Sequence, residues 1–140
     1  MTAARRADVL AATLRALATY DRDVLTRTLA PDVRVWTPEL ATATRDELLA
    51  AIDQRDEAFG DVSVEVRPLD VGGLQACAEW TMSTQLVGSI ELASGDVLEP
   101  NGSKIFLNGV AVADFDGDTI AALRQYWNVD SLYAQLGIER

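Results

Sequence analysis

Leu74-Gln75-Ala76-Cys77-Ala78-Glu79-Trp80-Thr81-Met82-Ser83-Thr84-Gln85-Leu86-Val87 alternates from end to end. Leu74, Ala76, Ala78, Trp80, Met82, Thr84 and Leu86 fall on one side; Gln75, Cys77, Glu79, Thr81, Ser83 and Gln85 fall on the other. Successive side chains of a strand point to opposite faces, so this period-two run predicts a strand with one apolar face. A strand of this length twists and bends. Gly72-Gly73 precedes it, and before those glycines Val62, Val64 and Val66 alternate with Ser63, Glu65 and Arg67 to give a partner strand. Residues 88–103 read as an irregular connection ending in Pro100-Asn101-Gly102. Two further strands, about 104–115 and 119–128, are joined by the tight turn Asp116-Gly117-Asp118.

The N-terminal half has the other period. Val9, Leu10, Leu14 and Leu17 predict a helix over 3–19, and Val24, Leu25 and Leu29 a second over 22–29 with Asp21 or Asp23 as cap. Ala30-Pro31-Asp32 ends that helix and opens a strand at 33–37, which Pro38 stops. Thr44-Arg45-Asp46-Glu47 is a capping box for a third helix to about Phe59, with Leu48, Leu49, Ile52 and Phe59 as its buried stripe. A last helical turn runs from Ser131 to Leu136, with Asp130 as cap and Gly137 as stop. Helices first and antiparallel strands second predict an α+β fold, one domain over 1–140, with helices on the concave side of a curved sheet. That arrangement leaves a cone able to hold a ligand.

Composition narrows the function. A chain 49% hydrophobic and 24% charged is globular rather than disordered. Its net charge of −10 repels phosphate backbones and anionic lipid, so neither nucleic acid nor membrane is expected as a partner. No apolar run is long enough to span a bilayer. Asp8 and Arg15 interrupt the apolar residues beyond Arg5-Arg6, which argues against a signal peptide, and the single cysteine, Cys77, fits a reducing compartment. The expected location is the cytoplasm. Histidine is absent, which removes imidazole triads and histidine-bound zinc. Any general base is then a carboxylate or, failing that, Lys104, Cys77 or a tyrosine.

Several short motifs fall into one order. They are Leu29-Ala30-Pro31-Asp32-Val33 running into Trp36-Thr37-Pro38-Glu39, then Glu79-Trp80-Thr81 followed by Gly88, then Phe115-Asp116-Gly117-Asp118-Thr119-Ile120. Arg124-Gln125-Tyr126-Trp127-Asn128, Leu132 and Gln135-Leu136-Gly137 complete the set. In this order the chain resembles the nuclear-transport-factor-two-like superfamily, and within it the SnoaL-like polyketide cyclases, ketosteroid isomerases and limonene epoxide hydrolases. The resemblance implies a cone-shaped α+β barrel, and it spans nearly the whole chain. It implies no single reaction, since such a fold hosts many.

The catalytic positions of those families mostly carry other residues here. The isomerase base corresponds to Thr37, its oxyanion-binding aspartate to Ala111 and its oxyanion tyrosine to Thr13. The acids of the last strand in the epoxide hydrolases and many cyclases correspond to the amides Gln125 and Asn128, and a histidine after the Glu-Trp motif to Leu86.

The residues expected to face the cone are apolar: Val33, Val35, Val62, Val64, Val66, Trp80, Met82, Leu86, Leu107, Ala111, Phe115 and Ile120. They either line a pocket for a polyketide-, terpenoid- or steroid-like molecule or simply pack a core. Candidate ligand contacts are Trp36, Thr37, Trp80, Met82, Leu86, Ala111 and Phe115. Arg124, Tyr126 and Asn128 alternate along one strand and are expected to point inward, either as an oxyanion hole or as a buried network bracing the sheet. Glu39, just past Pro38, is either the general base or a solvated loop glutamate. Asp114, Asp116 and Asp118 sit in too short a turn for calcium, and no metal or organic cofactor is expected. Cys77, Glu79, Thr81, Gln125, Trp127, Phe106, Val110 and Val112 are assigned to the convex face, where a homodimer would cover them. The expected function is a cofactor-independent cyclase, isomerase or epoxide hydrolase. A non-catalytic binding or accessory protein on the same cone is the alternative.

Overall fold

The computed structural model describes residues 1–54, 58–91, 95–100 and 102–137. Along the chain come α1 (Ala3–Thr19), α2 (Arg22–Thr28), β1 (Leu29–Thr37), β2 (Leu40–Thr42), α3 (Arg45–Asp53), β3 (Phe59–Leu69) and β4 (Gln75–Leu86). The short β5 (Ile90–Glu91) and β6 (Val97–Leu98) come next, then β7 (Lys104–Asp116), β8 (Thr119–Trp127) and α4 (Val129–Leu136). Six strands form one open, curved sheet in the order β2-β1-β8-β7-β4-β3. Every neighbouring pair in it is antiparallel except β1 with β8.

The helices start where capping side chains satisfy their first free N–H groups. Thr2 accepts from the Arg5 amide, Asp21 from Val24 and Thr44 from Glu47. Tyr20 ends α1 in the left-handed conformation, and its hydroxyl donates to the Leu49 carbonyl at 3.2 Å, tying α1 to α3. The Arg45 guanidinium donates to the carbonyls of Thr26 and Leu29 at 3.0 and 3.1 Å, fixing α3 against the start of β1. Leu10, Leu14, Leu25, Leu48 and Leu49 are thereby buried with Val33, Val35, Ala76, Ala78, Ala111, Ala113, Phe115, Ile120 and Leu123 in one cluster.

Several boundaries differ from expectation. β1 begins at Leu29 rather than Val33; it passes through Pro31 because Pro31 and Asp32 are exposed and lie where the pairing with β8 is irregular. α3 stops at Asp53, residues 55–57 lie outside the described residues, and Phe59 is not in the helix but opens β3 opposite Leu86. α4 begins at Val129 with Asn128, not Asp130, as its cap. The 88–103 connection contains the small β5–β6 hairpin.

The largest correction concerns β8. Asp114 pairs with Ala122 but Phe115 pairs with Ile120, so Ala121 is an extra residue on β8. A bulge of one residue reverses which face each later side chain occupies. Leu123, opposite the buried Ala113, and Gln125, opposite the buried Ala111, therefore face the helices. Arg124 and Tyr126, opposite Val112 and Val110, face outward.

A second cluster closes the far end of the sheet: Leu86, Ile105 and Leu136, with Phe59, Ile90, Leu98, Leu132 and Tyr133 packed against it. There β8 no longer accompanies β7, and the Gln135 carboxamide takes the place of a strand. It accepts from the Phe106 amide and donates to the Phe106 carbonyl, both at 2.7 Å.

Candidate functional site

Burial and register together define the inner face of the cone. β1 contributes Val33, Val35 and Thr37; β4 contributes Trp80 and Met82; β7 contributes Leu107, Gly109, Ala111 and Phe115; β8 contributes Leu123, Gln125 and Trp127. Ala111, Phe115 and Ile120 lie in the packed end, and Leu86 lies under the β5–β6 hairpin in the second cluster. Between the two ends, Val64, Val66, Met82, Trp127 and Leu132 are only half-buried. Along this belt the apolar interior is incompletely covered.

Of the expected site residues, Thr37, Trp80, Met82, Leu86, Ala111 and Phe115 are on the inner face. Thr37 is 7% exposed and braces the β1–β2 turn: its hydroxyl accepts from the Glu39 amide at 3.2 Å and donates to the Leu40 carbonyl at 3.5 Å. Glu39 is half-buried in that turn, beside Leu40, which packs against the core. The structure thus brings Thr37 and Glu39 together.

It does not bring Asn128, Trp36, Tyr126 or Arg124 to them. Asn128 is spent on the Ser131 amide at 3.0 Å, as the cap of α4. Trp36 is 44% exposed on the outer face, with its ring centroid 5.3 Å from that of Tyr126, itself 47% exposed. Arg124 donates from Nη1 to Asp114 Oδ2 at 2.7 Å, and Gln75 donates to Asp114 Oδ1 at 2.7 Å. These two donors hold the Asp114 carboxyl below the usual carboxylate range, the Arg124 bond contributing most. Because the folded pKa is the depressed one, the stabilisation is present above the ordinary carboxylate range and is lost as pH falls through the lowered value. Both partners are about one-third exposed, so solvent screening keeps the pair below about 1 kcal/mol. Urea unfolding is therefore expected to show a small gap between the parent and Asp114→Asn at pH 7 that narrows as pH falls below the ordinary carboxylate range; a gap unchanged with pH would contradict the pairing.

Two functional candidates are not evident from simple alternation. Regular alternation along β8 puts Trp127 on the convex face, but the bulge turns it inward, where its ring meets that of Trp80 edge-on at 6.0 Å. The sequence does hold a signal for this: Ile120 and Leu123 are both apolar yet three residues apart, a spacing that no regular strand face contains. Gly109 pairs with both tryptophans, and a Cβ there would stand 2.5 Å from Trp80 Cζ2 and from the Tyr126 carbonyl oxygen. The glycine leaves the space that the Trp80 indole fills. Among the described residues the inner sheet face carries no carboxylate; its polar groups are Thr37, Thr42, Thr84, Gln125 and the two indole N–H groups. Thr84 already donates to the Gly60 carbonyl at 3.0 Å.

The outer face is shaped differently. Glu65, Arg67, Glu79, Thr81, Asn108 and Val110 surround an open hollow of about 510 Å3, across which Arg67 and Glu79 pair at 2.6 Å. Phe106, also on that face, is 61% exposed. Among the described residues no group of carboxylates and thiols is placed to hold a metal ion, and no helix is long and apolar enough to cross a membrane.

The profile of the SnoaL-like domain matches residues 10–123. The chain belongs to the SnoaL-like family. Its sheet and helices are those of the nuclear-transport-factor-two-like cone. TsrD from Streptomyces laurentii superimposes on this SnoaL-like chain with a TM-score of 0.81 at 22% identity, over 99% of both chains. A candidate SnoaL-like polyketide cyclase from Jannaschia sp. CCS1 gives 0.81 at 14% identity, over 98% of this chain and 94% of its own. An LEH-like epoxide hydrolase from M. tuberculosis gives 0.72 at 15% identity, over 95% and 90%. At these identities the SnoaL-like likeness is one of fold. No curated protein matches the chain.

Proposed function

We propose that this SnoaL-like chain takes an apolar polyketide-, terpenoid- or steroid-like molecule into its cone and acts on it as a cyclase, isomerase or epoxide-opening hydrolase without metal or organic cofactor. The observation that supports this reading is the set of apolar side chains Val64, Val66, Met82 and Leu132, which pack against the core clusters yet stay only half-buried. Such surface suits a ligand recognised mainly by shape and burial. Candidate cyclases and an LEH-like epoxide hydrolase on the same fold support the class.

The base in this reading is Glu39, whose backbone amide donates to the Thr37 hydroxyl in the β1–β2 turn. Arg124, Tyr126 and Trp36 belong instead to the outer face. Together with Phe106 they form the surface on which a second copy packs. Sedimentation of the purified protein is expected to give twice the chain mass, and Phe106→Glu the single mass; a monomeric parent would remove the dimer.

Mass-spectrometric turnover of polyketide ketones, steroid enones and terpene epoxides tests the activity. Conversion is expected, falling by about 10²–10⁴-fold in Glu39→Gln, the range of a lost general base. Conversion that survives Glu39→Gln would remove Glu39 from that role. One observation favours a second reading, a binding or accessory protein: the inner sheet face carries no carboxylate among the described residues. Ligands retained by the protein but recovered unchanged would decide for it.

A further inference from the structure

Buried tryptophans ordinarily find an acceptor for the indole N–H. Here two do not. Trp80 Nε1 and Trp127 Nε1 are both shielded from solvent and have no hydrogen-bond partner, and Trp80 is 6% exposed as a whole. The two residues are not scattered. Trp80 on β4 and Trp127 on β8 pair with the same residue of β7, Gly109, so they stand on one rung of the inner face. A donor left unpaired in an apolar interior is costly, and two of them on one rung form a concentrated deficit of acceptor.

No described residue accepts from either indole. The inner-face neighbours of Trp80 along β4 are Ala78 and Met82, and its partner on β3 is Val66. Gln125 is the inner-face residue of β8 next to Trp127, and its amide satisfies neither indole. Met82 is half-buried, unbranched and adjacent, a side chain that can swing aside without moving backbone. The rung also borders the open belt, since Trp127 is itself half-buried.

We infer that the Trp80–Gly109–Trp127 rung is an oxygen-acceptor subsite, at which the two indole N–H groups donate to carbonyl oxygens of an aromatic ketone or quinone-like ligand. This rests on the reading of the cone as a small-molecule site and names the ligand class within it. Indole N–H groups are neutral donors that do not ionise near neutral pH, so they orient and polarise a carbonyl and leave proton transfer to another group. Hydrocarbon ligands of the same shape fill the belt without meeting the donors.

α-Tetralone and tetralin share a bicyclic skeleton and differ at the carbonyl, which makes them the test pair. Nitrogen–proton correlation spectra of the labelled full chain report its three tryptophans separately, assigned by single Trp→Phe variants. The Met82 methyl signal reports entry into the cone. On adding α-tetralone, the Trp80 and Trp127 indole protons are expected to move downfield, with Trp36 on the outer face unmoved. Tetralin is expected to move the Met82 methyl alone. Trp80→Phe and Trp127→Phe keep the apolar ring and are each expected to weaken α-tetralone binding by about three- to tenfold, leaving tetralin unchanged. If both compounds shift Met82, bind equally tightly and leave the inner indoles unmoved, the subsite is overturned while the small-molecule cone stands. If neither compound shifts Met82, the cone reading fails and the subsite with it. A water held on either indole that persists after α-tetralone is added, seen as a cross-peak to the water signal, also overturns the inference.

Discussion

Leu10→Ala is expected to destabilise the fold by about 2–5 kcal/mol, the range for truncating a fully buried leucine. Leu10 is 0% exposed and lies on α1, the helix packed across β3 and β4. Its removal leaves a hole between a helix and a sheet, and neither element collapses easily into it. A rigid interior keeps most of that void, which adds to the lost transfer energy. For a chain of this size the melting temperature falls by on the order of 10 °C. Leu74→Ala is the control: Leu74 is 68% exposed, so the same deletion is expected to stay within about 0.5 kcal/mol. Thermal unfolding followed by circular dichroism checks both. Equal losses from the two variants would mean that α1 does not pack on the sheet as described.

Gly109→Ala is expected to cost about 1–3 kcal/mol by overpacking. The added methyl meets an aromatic ring on one side and the Tyr126 carbonyl oxygen on the other, each at 2.5 Å. The ring can turn only by disturbing its edge contact with Trp127, and the carbonyl is backbone in a paired strand. Near-UV circular dichroism is expected to change with stability, because the displaced group is a tryptophan. A variant within about 0.5 kcal/mol of the parent with an unchanged aromatic spectrum would show that Trp80 does not lie over this glycine.

Local chemistry carries much of the fold. Thr44 and Glu47 mark the start of α3, Asp21 caps α2, and the alternation from Gln75 to Leu86 gives β4 with its inner and outer faces correctly sorted. β7 is equally legible, with Leu107, Ala111 and Phe115 inside and Phe106 outside. These features depend on residues within a turn or a few positions of one another. β8 is the exception. Its alternation predicts Arg124, Tyr126 and Asn128 inside, and the extra residue at Ala121 puts Arg124 and Tyr126 outside and Trp127 within.

The candidate site is legible in the sequence to the extent that it lies on uninterrupted strands. Thr37, Trp80, Met82 and Ala111 can be found there because β1, β4 and β7 keep their period across the centre of the sheet. Asn128 departs from expectation for a different reason: an asparagine just past a strand serves equally as the next strand residue or as the cap of the following helix. The Ser131 amide within 3.0 Å decides for the cap. The pairing of Asp114 with Arg124 joins residues on neighbouring strands whose register depends on the same bulge, so reading Asp114 as a turn residue does not anticipate it.

The amino-acid sequence by itself determined the class of fold, the two-sided character of the long strands, the acidic surface and the absence of histidine chemistry, because each is written in composition or in short-range periodicity. Tertiary structure alone decided which residues share the interior. Pairing with β7 sets the register of β8, a single unpaired residue inverts its faces, and Trp80, Gly109 and Trp127 meet on one rung only after three distant strands have aligned. Such alignment is a property of hydrogen-bonded neighbours, and no stretch of one strand encodes it.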